Sequence, residues 1–215
     1  MKLADLEQSL GRRFARFATN AVVASPRAWR AFRWLMRAQF ERLAPRWDAM
    51  RRPDAFASLE RALDALPQPP QRVLDLGTGT GRAAFVAARR FPQAQVVGID
   101  LAEGMVAQAR AMTPPELAER VGFEAADAAR LPFEDDSFDL VTQNNMPPFF
   151  SEIARVLRPG GSIVIAASWG ASTPFYTPDS VLRRGFGRHG IEPVETGEAA
   201  KGTYFVAPRP DRSPK

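Results

Sequence analysis

The sequence has no cysteine and only one histidine among its 215 residues. The absence of thiols excludes disulfides and cysteine nucleophiles, and a lone imidazole argues against a zinc or iron centre, so no metal is expected. Apolar runs of the roughly 18 residues that a bilayer-spanning helix needs are also missing. The first residues have no apolar signal-peptide core, and a non-spanning, cytoplasmic protein is therefore expected.

Positive charge is unevenly distributed along the chain. The formal net charge is +5, yet residues 1–52 hold 12 lysines and arginines against 4 aspartates and glutamates, so the remainder is net negative. Nearly every basic residue is arginine, which a GC-rich coding sequence also produces. Because no recognisable nucleic-acid-binding motif accompanies the arginines, the charge alone does not indicate a nucleic-acid partner.

The chain beyond Pro70 alternates between β-rich apolar runs and helical segments, which is typical of a parallel sheet with crossover helices. Strands are predicted at Arg72–Leu76, Gln95–Asp100, Gly122–Ala126, Phe138–Gln143, Ser162–Ala167 and Tyr204–Ala207, with a weaker one at Glu192–Glu195. Helices are predicted at about Gly81–Phe91, Glu103–Met112, Phe149–Leu157 and Asp179–Arg188. The expected fold is α/β: a doubly wound, seven-stranded, mostly parallel Rossmann-like sheet with a terminal antiparallel strand.

Residues 1–66 have a helical pattern and are predicted to form an N-terminal lid, while residues 67–215, beginning with the stiff connector Pro67–Gln71, form the main domain. Ser25 and Pro26 are residue types that begin helices. The helix that follows is predicted to bury an apolar stripe of Trp29, Phe32, Leu35, Met36, Phe40 and Leu43. The arginines at positions 27, 30, 33 and 37 take its other face and are predicted to lie in solvent.

The run VLDLGTGTG, residues 73–81, ends the first predicted strand with glycines at every second position. Glycines permit a tight turn and a close approach of the backbone to a ligand. The dinucleotide fingerprint G-x-G-x-x-G would place its third glycine at position 82, which is arginine, so the spacing disfavours a dinucleotide. Asp75 lies in a strand expected to be buried on both faces, and it therefore needs a hydrogen-bonding partner.

The run DLGTGTG resembles the first motif of the class I S-adenosylmethionine-dependent methyltransferases, and three later runs are similar to that family in the same order. They are GIDLAEGMVAQAR (residues 98–110), FEAADAARLPFEDDSFDLV (residues 123–141) and LRPGGSIVIAAS (residues 157–168). Together they cover about residues 72–168 and resemble most the small-molecule, type 11-like branch that includes quinone methyltransferases. Four ordered motifs are far more specific than one glycine turn. The resemblance implies methyltransferase activity with S-adenosyl-L-methionine as the cofactor.

The resemblance also implies where the cofactor's amino-acid and ribose parts bind. Asp75 would lie near the ammonium group, through water, and Asp100 would accept both ribose hydroxyls. The turn residues expected around the amino-acid part are Gly77, Thr78, Gly79 and Gly81. An alternative for Asp100 is an acid that only stabilises the N-terminus of the next helix.

The adenine part is expected to lie beside the ends of the second and third strands. By the same resemblance, Leu101 and Met105 would pack on the ring, Asp127 and Ala128 would meet its exocyclic amine, and Asn144 would line the methyl-transfer cleft. Met105 is equally a candidate core residue, and Asp127 a candidate turn residue.

FERLAPRWD, residues 40–48, is similar to the Y-D-x-x-A-x-x-Y-D run that precedes the sheet in quinone-type methyltransferases. In that family the aromatic near the end of the run closes on the cofactor. Here Phe40 and Glu41 replace the first Tyr-Asp and Trp47 replaces the second tyrosine, so both hydroxyls are lost. An indole can still offer an N–H donor or a flat apolar wall, and Trp47 is therefore predicted to bind the cofactor as part of the lid.

The methyl acceptor is expected between the loop Ser168–Asp179, the stretch Asn145–Phe150 and the N-terminal helices. Aromatic side chains dominate there and acids are few, which favours a planar or apolar small molecule; the aromatics are Phe149, Phe150, Trp169, Phe175 and Tyr176. The catalytic residue is unknown, with Asn144 and Tyr176 as candidates that line the cleft. His189 precedes a glycine after a predicted helix and is expected to end that helix rather than to catalyse.

Other interpretations of the sequence stay open. A nucleic-acid-directed enzyme would use the arginine-rich N-terminus on phosphates. A lipid-directed enzyme would dock the same helix on a membrane surface. A catalytically silent module would bind the cofactor without turnover. The sequence does not decide between C-, N- and O-methylation, nor between a monomer and a homodimer.

Overall fold

The computed structural model describes residues 3–50 and 54–211, with side chains from Leu10 onward. Its helices are α1 (Leu3–Ala24), α2 (Trp29–Leu43), α3 (Ala57–Asp64), α4 (Arg82–Arg90), α5 (Glu103–Ala111), α6 (Phe150–Val156) and α7 (Asp179–Gly187). Its strands are β1 (Arg72–Leu76), β2 (Gln95–Asp100), β3 (Val121–Ala125), β4 (Phe138–Asn144), β5 (Leu157–Ala167), β6 (Glu195–Ala199) and β7 (Gly202–Pro208). Short 3-10 turns lie at Pro26–Ala28, Ala44–Arg46, Asp48–Met50, Pro115–Leu117 and Gly170–Ser172.

The strands form one sheet in the order β3-β2-β1-β4-β5-β7-β6. Strands β1 to β5 pair in parallel, whereas β7 runs antiparallel to β5 on one side and to β6 on the other. The predicted doubly wound, mostly parallel sheet of seven strands with a terminal antiparallel strand is confirmed. The strand order reverses between β1 and β4, and the crevice beyond the carboxyl ends of these two strands is where such sheets bind ligands.

Two strands differ from their predicted bounds by more than two residues at one end. β5 begins at Leu157 rather than Ser162, because the predicted turn at the glycine pair is extended: the Gly160 N–H donates to the carbonyl of Arg209 at 2.9 Å, and the Arg209 N–H donates to the carbonyl of Gly161 at 2.8 Å. The weak strand expected at Glu192–Glu195 lies instead at Glu195–Ala199. Pro193 has no N–H with which to donate a hydrogen bond to a neighbouring strand, so it fits before β6 better than inside it.

Each face of the sheet has its own apolar core. Along β1, Val73 packs towards α3, α4 and α5, while Leu74 and Leu76 pack towards α1, α2, α6 and α7. All three side chains are fully buried. Parallel strands covered by helices on both faces read as continuous apolar runs, which is why these elements were predictable from sequence.

The N-terminal helices pack on the second of these faces. Trp29 and Met36 of α2 are buried together with Ala18 and Val22 of α1. The prediction that Leu35 shares the buried stripe is wrong, because its side chain is 43% exposed while the adjacent Met36 faces the core. Within residues 3–50 and 54–211, each helix is too short or too polar to cross a bilayer.

Two arginines of α2 do not lie free in solvent as predicted. Arg33 lies 3.7 Å from the Asp127 carboxylate after β3, and Arg37 pairs with Glu103 of α5 at 2.9 Å. These pairs hold α2 across the carboxyl ends of β2 and β3. The N-terminal segment therefore covers the side of the sheet where the functional residues were predicted.

Candidate active site

The turn between β1 and α4 contains three glycines with positive φ: Gly77 at 62°, Gly79 at 55° and Gly81 at 81°. A Cβ at Gly77 would lie 2.7 Å from Sδ of Met146, and a Cβ at Gly79 would lie 3.3 Å from Nε1 of Trp47. Glycine is therefore required here both by the left-handed backbone and by the side chains packed on the turn.

Backbone hydrogen bonds fix this turn against the end of β2. The Thr78 N–H donates to the carbonyl of Ile99 and the Gly79 N–H donates to Oδ2 of Asp100, each at 2.9 Å. The Thr78 hydroxyl is buried and makes no close hydrogen bond among the described residues, but it lies near enough to the Asp75 carboxylate to lower the pKa of Asp75. The turn is buried at Thr78, Gly79, Thr80 and Gly81 and partly buried at Gly77.

Asp75 lies beneath the glycine turn and is only 1% exposed. The Thr142 hydroxyl donates to its Oδ1 at 2.8 Å, while Oδ2 is buried without a hydrogen-bond partner among the described residues. Burial raises the pKa of Asp75 to about 6, and the nearby charge of Asp100 adds to the rise. A buried oxygen that accepts no hydrogen bond lowers the stability of the fold. A ligand that brings a hydrogen-bond donor to Oδ2 would remove this cost.

Asp100 ends β2 beside the turn. Its Oδ1 accepts the N–H of Ala102 and its Oδ2 accepts the N–H of Gly79, both at 2.9 Å. Burial raises the pKa of Asp100, and these two backbone donors lower it. A carboxylate has about four lone-pair sites, so Asp100 keeps acceptor capacity for two further donors.

Asp127, after β3, is held by α2. The Trp29 indole N–H donates to its Oδ1 at 2.8 Å, and the Ala129 N–H donates to the same oxygen at 2.9 Å. Arg33 neighbours the second oxygen. The adjacent Ala128 is 8% exposed. The carboxylate predicted to meet an adenine amine therefore already accepts an aromatic N–H from the N-terminal segment.

The chain after α2 lies directly on the glycine turn. Asp48 accepts a hydrogen bond from the Thr80 hydroxyl at 2.6 Å, and the rings of Phe40 and Trp47 pack edge to face with centroids 5.4 Å apart. Met105 is 1% exposed beneath these rings. In this structure Met105 packs as a core residue, which was one of its two predicted roles.

Sequence analysis missed the part played by Glu41. Helix α5 begins after Ala102, which offers no side-chain cap. Glu41 supplies one from α2: its Oε1 accepts the N–H of Glu103 and its Oε2 the N–H of Gly104, both at 2.8 Å. An acid is favourable at a helix N-terminus, and the sequence of α5 begins without a capping side chain. That absence could have indicated that a distant acid caps the helix, but it does not identify the acid.

Leu101 and Asn144 lie at the ends of β2 and β4. Leu101 is half-buried against the apolar core, as expected for a wall residue. Asn144 has its Oδ1 3.2 Å from the Ser168 hydroxyl, which also donates to the carbonyl of Ala55 at 2.6 Å. The amide of Asn144 is therefore oriented by the first residue after β5.

A cavity of about 230 Å³ lies beyond the carboxyl end of β5, between α7 and the β6–β7 pair. Its lining is Met146, Ile165, Ala166, Ala167, Phe175, Tyr176, Thr177, Asp179, Leu182, Thr196, Gly197, Glu198, Thr203, Tyr204 and Phe205. Met146 also packs on Gly77, so its side chain contacts both the cavity and the glycine turn.

The lining of this cavity differs in part from the predicted acceptor wall. Phe149 packs on Trp29 and is 4% exposed, Phe150 packs on Phe186, and Trp169 is not among the lining residues. Asp179 and Glu198 both line the cavity, whereas few acids were expected in the predicted wall. A sequence stretch gives no sign of which antiparallel strand will lie across from it, and Glu198 comes from β6.

His189 lies just after the end of α7, and its N–H donates to the carbonyl of Phe186 at 2.8 Å. Gly190 has a φ of 69°, as expected for a residue that ends a helix. Burial, Arg188 and Arg209 lower the pKa of His189. The structure places it outside the lining of the cavity and away from the glycine turn.

Comparisons with known proteins agree with this geometry. A family model described as a methyltransferase domain matches residues 73–161. Residues 73–161 match a methyltransferase domain of the class I S-adenosylmethionine-dependent kind. The demethylmenaquinone methyltransferase of Thermus thermophilus is 41% identical over 138 residues, which is 59% of this chain and 62% of that protein. The malonyl-[acyl-carrier protein] O-methyltransferase of Methylococcus capsulatus is 37% identical over 116 residues, 51% of this chain and 42% of that protein.

A solved structure extends the likeness to the fold of this methyltransferase. The S-adenosylmethionine-dependent methyltransferase of Aquifex aeolicus superposes with a TM-score of 0.64 at 20% identity, covering 76% of this chain and 97% of that one. The chain spans less than two thirds of the length of the two curated relatives.

S-adenosyl-L-methionine is the cofactor of this family, and the residues around the glycine turn fit it. The open Oδ2 of Asp75 suits the ammonium donor, and the spare lone pairs of Asp100 suit two ribose hydroxyls. The glycine turn leaves no Cβ in the way on the ligand side. Asp127 and Met105 fit only after the N-terminal segment shifts, because Trp29 and the Phe40–Trp47 rings now lie on them.

Proposed function

We propose that this protein transfers a methyl group from S-adenosyl-L-methionine to a small, neutral, planar or apolar acceptor. The observation that carries the proposal is the pair of buried carboxylates on either side of the glycine turn. Asp75 has an oxygen without a donor, and Asp100 already fixes the turn through Gly79. The two acids lie at the strand ends where the switch in strand order opens a ligand crevice.

In this proposal the chain binds and positions the reactants. The cofactor supplies a methyl group that its sulfonium has already activated, so alignment of the acceptor and exclusion of water are the main requirements. Asp75 and Asp100 hold the amino-acid and ribose parts, and Asp127 meets the adenine. Trp47 lies over the turn and excludes water from it.

We assign the acceptor to the cavity beyond β5. Met146 lies between that cavity and Gly77, and an unbranched thioether can change rotamer at little cost. Movement of Met146 would connect the acceptor to the methyl group. The volume of about 230 Å³ equals roughly eight water molecules, so only part of a larger acceptor would be enclosed.

The charge of the cavity bears on the choice between the relatives' substrates. Asp179 and Glu198 line it, and they would repel an acidic group such as a malonyl carboxylate. Phe175, Tyr176 and Tyr204 offer flat apolar surface; the Tyr176 hydroxyl can orient an oxygen, whereas the Tyr204 hydroxyl already donates to Glu195 at 2.7 Å. An acceptor that resembles a quinol ring is therefore favoured over a malonyl thioester, and Tyr176 is the residue proposed to bind its hydroxyl.

A transfer assay tests the proposal. The protein is incubated with S-adenosyl-L-methionine labelled in its methyl group and with a hydroxynaphthoquinol, a malonyl thioester or a short oligonucleotide. Label should enter the quinol. Asp100→Ala should weaken S-adenosylhomocysteine binding by about 1–3 kcal/mol, the scale of hydrogen bonds lost to a charged group, while the fold is retained. Binding of S-adenosylhomocysteine without transfer to any acceptor would instead identify a silent module.

A further inference from the structure

The α1–α2 hairpin exposes large apolar side chains on the side that faces away from the sheet. Trp34 is 71% exposed, Phe17 62%, Leu10 55% and Leu35 43%. We call this surface the outer face of the hairpin. Single exposed apolar residues are ordinary, but several together on one element mark an interaction surface.

Contacts between the two helices show that α1 and α2 lie side by side, and Leu10, Phe17, Trp34 and Leu35 are all exposed on them. Gly11 lies beside Gln39, and Phe17 packs edge to face on Phe32 with centroids 5.7 Å apart, so the helices run antiparallel. Leu10 and Phe17 are seven residues apart and lie on one face of α1. The apolar side chains that α1 and α2 turn towards the sheet are different ones: Ala18, Val22, Trp29 and Met36.

Positive charge surrounds the outer face. Residues 10–50 include nine arginines and only two acids, Glu41 and Asp48. Both acids are turned inward, since Glu41 caps α5 and Asp48 binds Thr80. The exposed arginines near the apolar side chains include Arg13, Arg27, Arg30 and Arg42. The outer face is therefore apolar at its centre and positive around it.

We propose that the outer face of the hairpin docks on an anionic phospholipid bilayer. Trp, Phe and Leu side chains insert at the level of the headgroups, and arginines around them attract anionic lipid. Arginine also extends its charged end outward while its stem stays in apolar surroundings. A nucleic acid would use the arginines but would gain little from Trp34 or Phe17, so the combination favours lipid over phosphate groups alone.

Vesicle sedimentation with the full chain tests the proposal. The protein should pellet with vesicles of equal parts phosphatidylglycerol and phosphatidylcholine, and far less with phosphatidylcholine alone. Raising the salt concentration should release it, because screening weakens the arginine contribution. Acyl chains brominated near the headgroup should quench tryptophan fluorescence, and Trp34→Phe should abolish most of that quenching, since Trp29 is buried.

Matched variants distinguish docking through the outer face from non-specific binding to vesicles. Phe17→Ser with Trp34→Ser should reduce partitioning by about tenfold or more, whereas Val194→Ser, at a site 63% exposed on the opposite part of the fold, should not. Arg27→Glu with Arg30→Glu should reduce it by about tenfold or more, and Arg184→Glu on α7 should leave it nearly unchanged.

Three results would overturn the proposal. Equal pelleting with neutral and anionic vesicles would remove the charge argument. Equal pelleting of the wild type and the Phe17→Ser, Trp34→Ser variant would remove the apolar one. Salt-sensitive binding to a DNA duplex, unchanged in that variant and without vesicle binding, would assign the arginines to nucleic acid. None of these measurements depends on methyl transfer.

Discussion

Asp75→Asn is the substitution whose effect on stability follows most directly from the structure. Burial raises the pKa of Asp75 from its ordinary 3.8 to about 6, so the folded protein binds this proton more tightly than the unfolded chain does. Below about pH 4 both states are protonated and the group costs nothing. Between about pH 4 and pH 6 the unfolded chain releases the proton first, and the free energy of unfolding falls.

The size of this fall can be worked out. A pKa that rises from 3.8 to about 6 corresponds to about 3 kcal/mol at 1.36 kcal/mol for each tenfold change in proton affinity. Wild type should therefore lose about 3 kcal/mol relative to Asp75→Asn between pH 4 and pH 8. Urea unfolding of both proteins across that range gives the difference and cancels the contributions of other groups.

Glu152 provides a control of opposite sign. Hydrogen bonds from Arg155 lower the pKa of Glu152, so its contribution to stability is present above its ordinary pKa and is lost as the pH falls. Relative to wild type, Glu152→Gln should thus be more destabilised at pH 7 than at pH 4. A difference between wild type and Asp75→Asn that stays within about 1 kcal/mol from pH 4 to pH 8 would refute the assignment of Asp75 as a buried, poorly compensated acid.

Other outcomes are expected from the same structure. S-adenosylhomocysteine should raise the Tm by mass action while NAD and ATP should not; a shift with NAD alone would contradict the cofactor assignment. Hydrogen exchange in residues 10–50 should slow when S-adenosylhomocysteine is added. Unchanged exchange would contradict the prediction that this segment is a lid. Trp29→Phe keeps the ring against Phe149 but frees Asp127, so S-adenosylhomocysteine should bind about tenfold more tightly; equal affinity would show that the indole N–H does not compete. His189→Ala should leave turnover nearly intact. Loss of turnover in this variant would show that the active site has been placed on the wrong face of the sheet.

Sequence predicted those parts of the fold that depend on local pattern. β1 and β2 were predicted with the bounds that the structure has, because continuous apolar runs bordered by glycine or aspartate mark buried parallel strands. The glycine spacing predicted a tight turn, and in the structure Gly77, Gly79 and Gly81 all have positive φ. Long-range pairings gave no such signal. Trp29 and Asp127 are 98 residues apart, and the sequence around either residue does not indicate that the two form a hydrogen bond.

The burial of adjacent apolar residues on one helix was also undecidable from sequence. Leu35 and Met36 both fit the stripe predicted for α2, and the position of α1 decides that Met36 is buried while Leu35 stays exposed. The lining of the cavity depends on long-range strand pairing in the same way. Glu198 joins the cavity only because β6 pairs with β7 at the far edge of the sheet.

Helix α2 has two functional-looking faces only a few residues apart: Trp29 and Arg33 contact Asp127, whereas Trp34 points to solvent. A rigid helix cannot move one face without the other, so a displacement of α2 on docking would also change the contacts at the proposed adenine position, and the two occupancies would then be thermodynamically linked. Linkage is reciprocal: if anionic vesicles change the affinity for S-adenosylhomocysteine by some factor, S-adenosylhomocysteine must change the affinity for vesicles by the same factor. Through this one helix, binding to an anionic bilayer would then change the affinity of the protein for its cofactor.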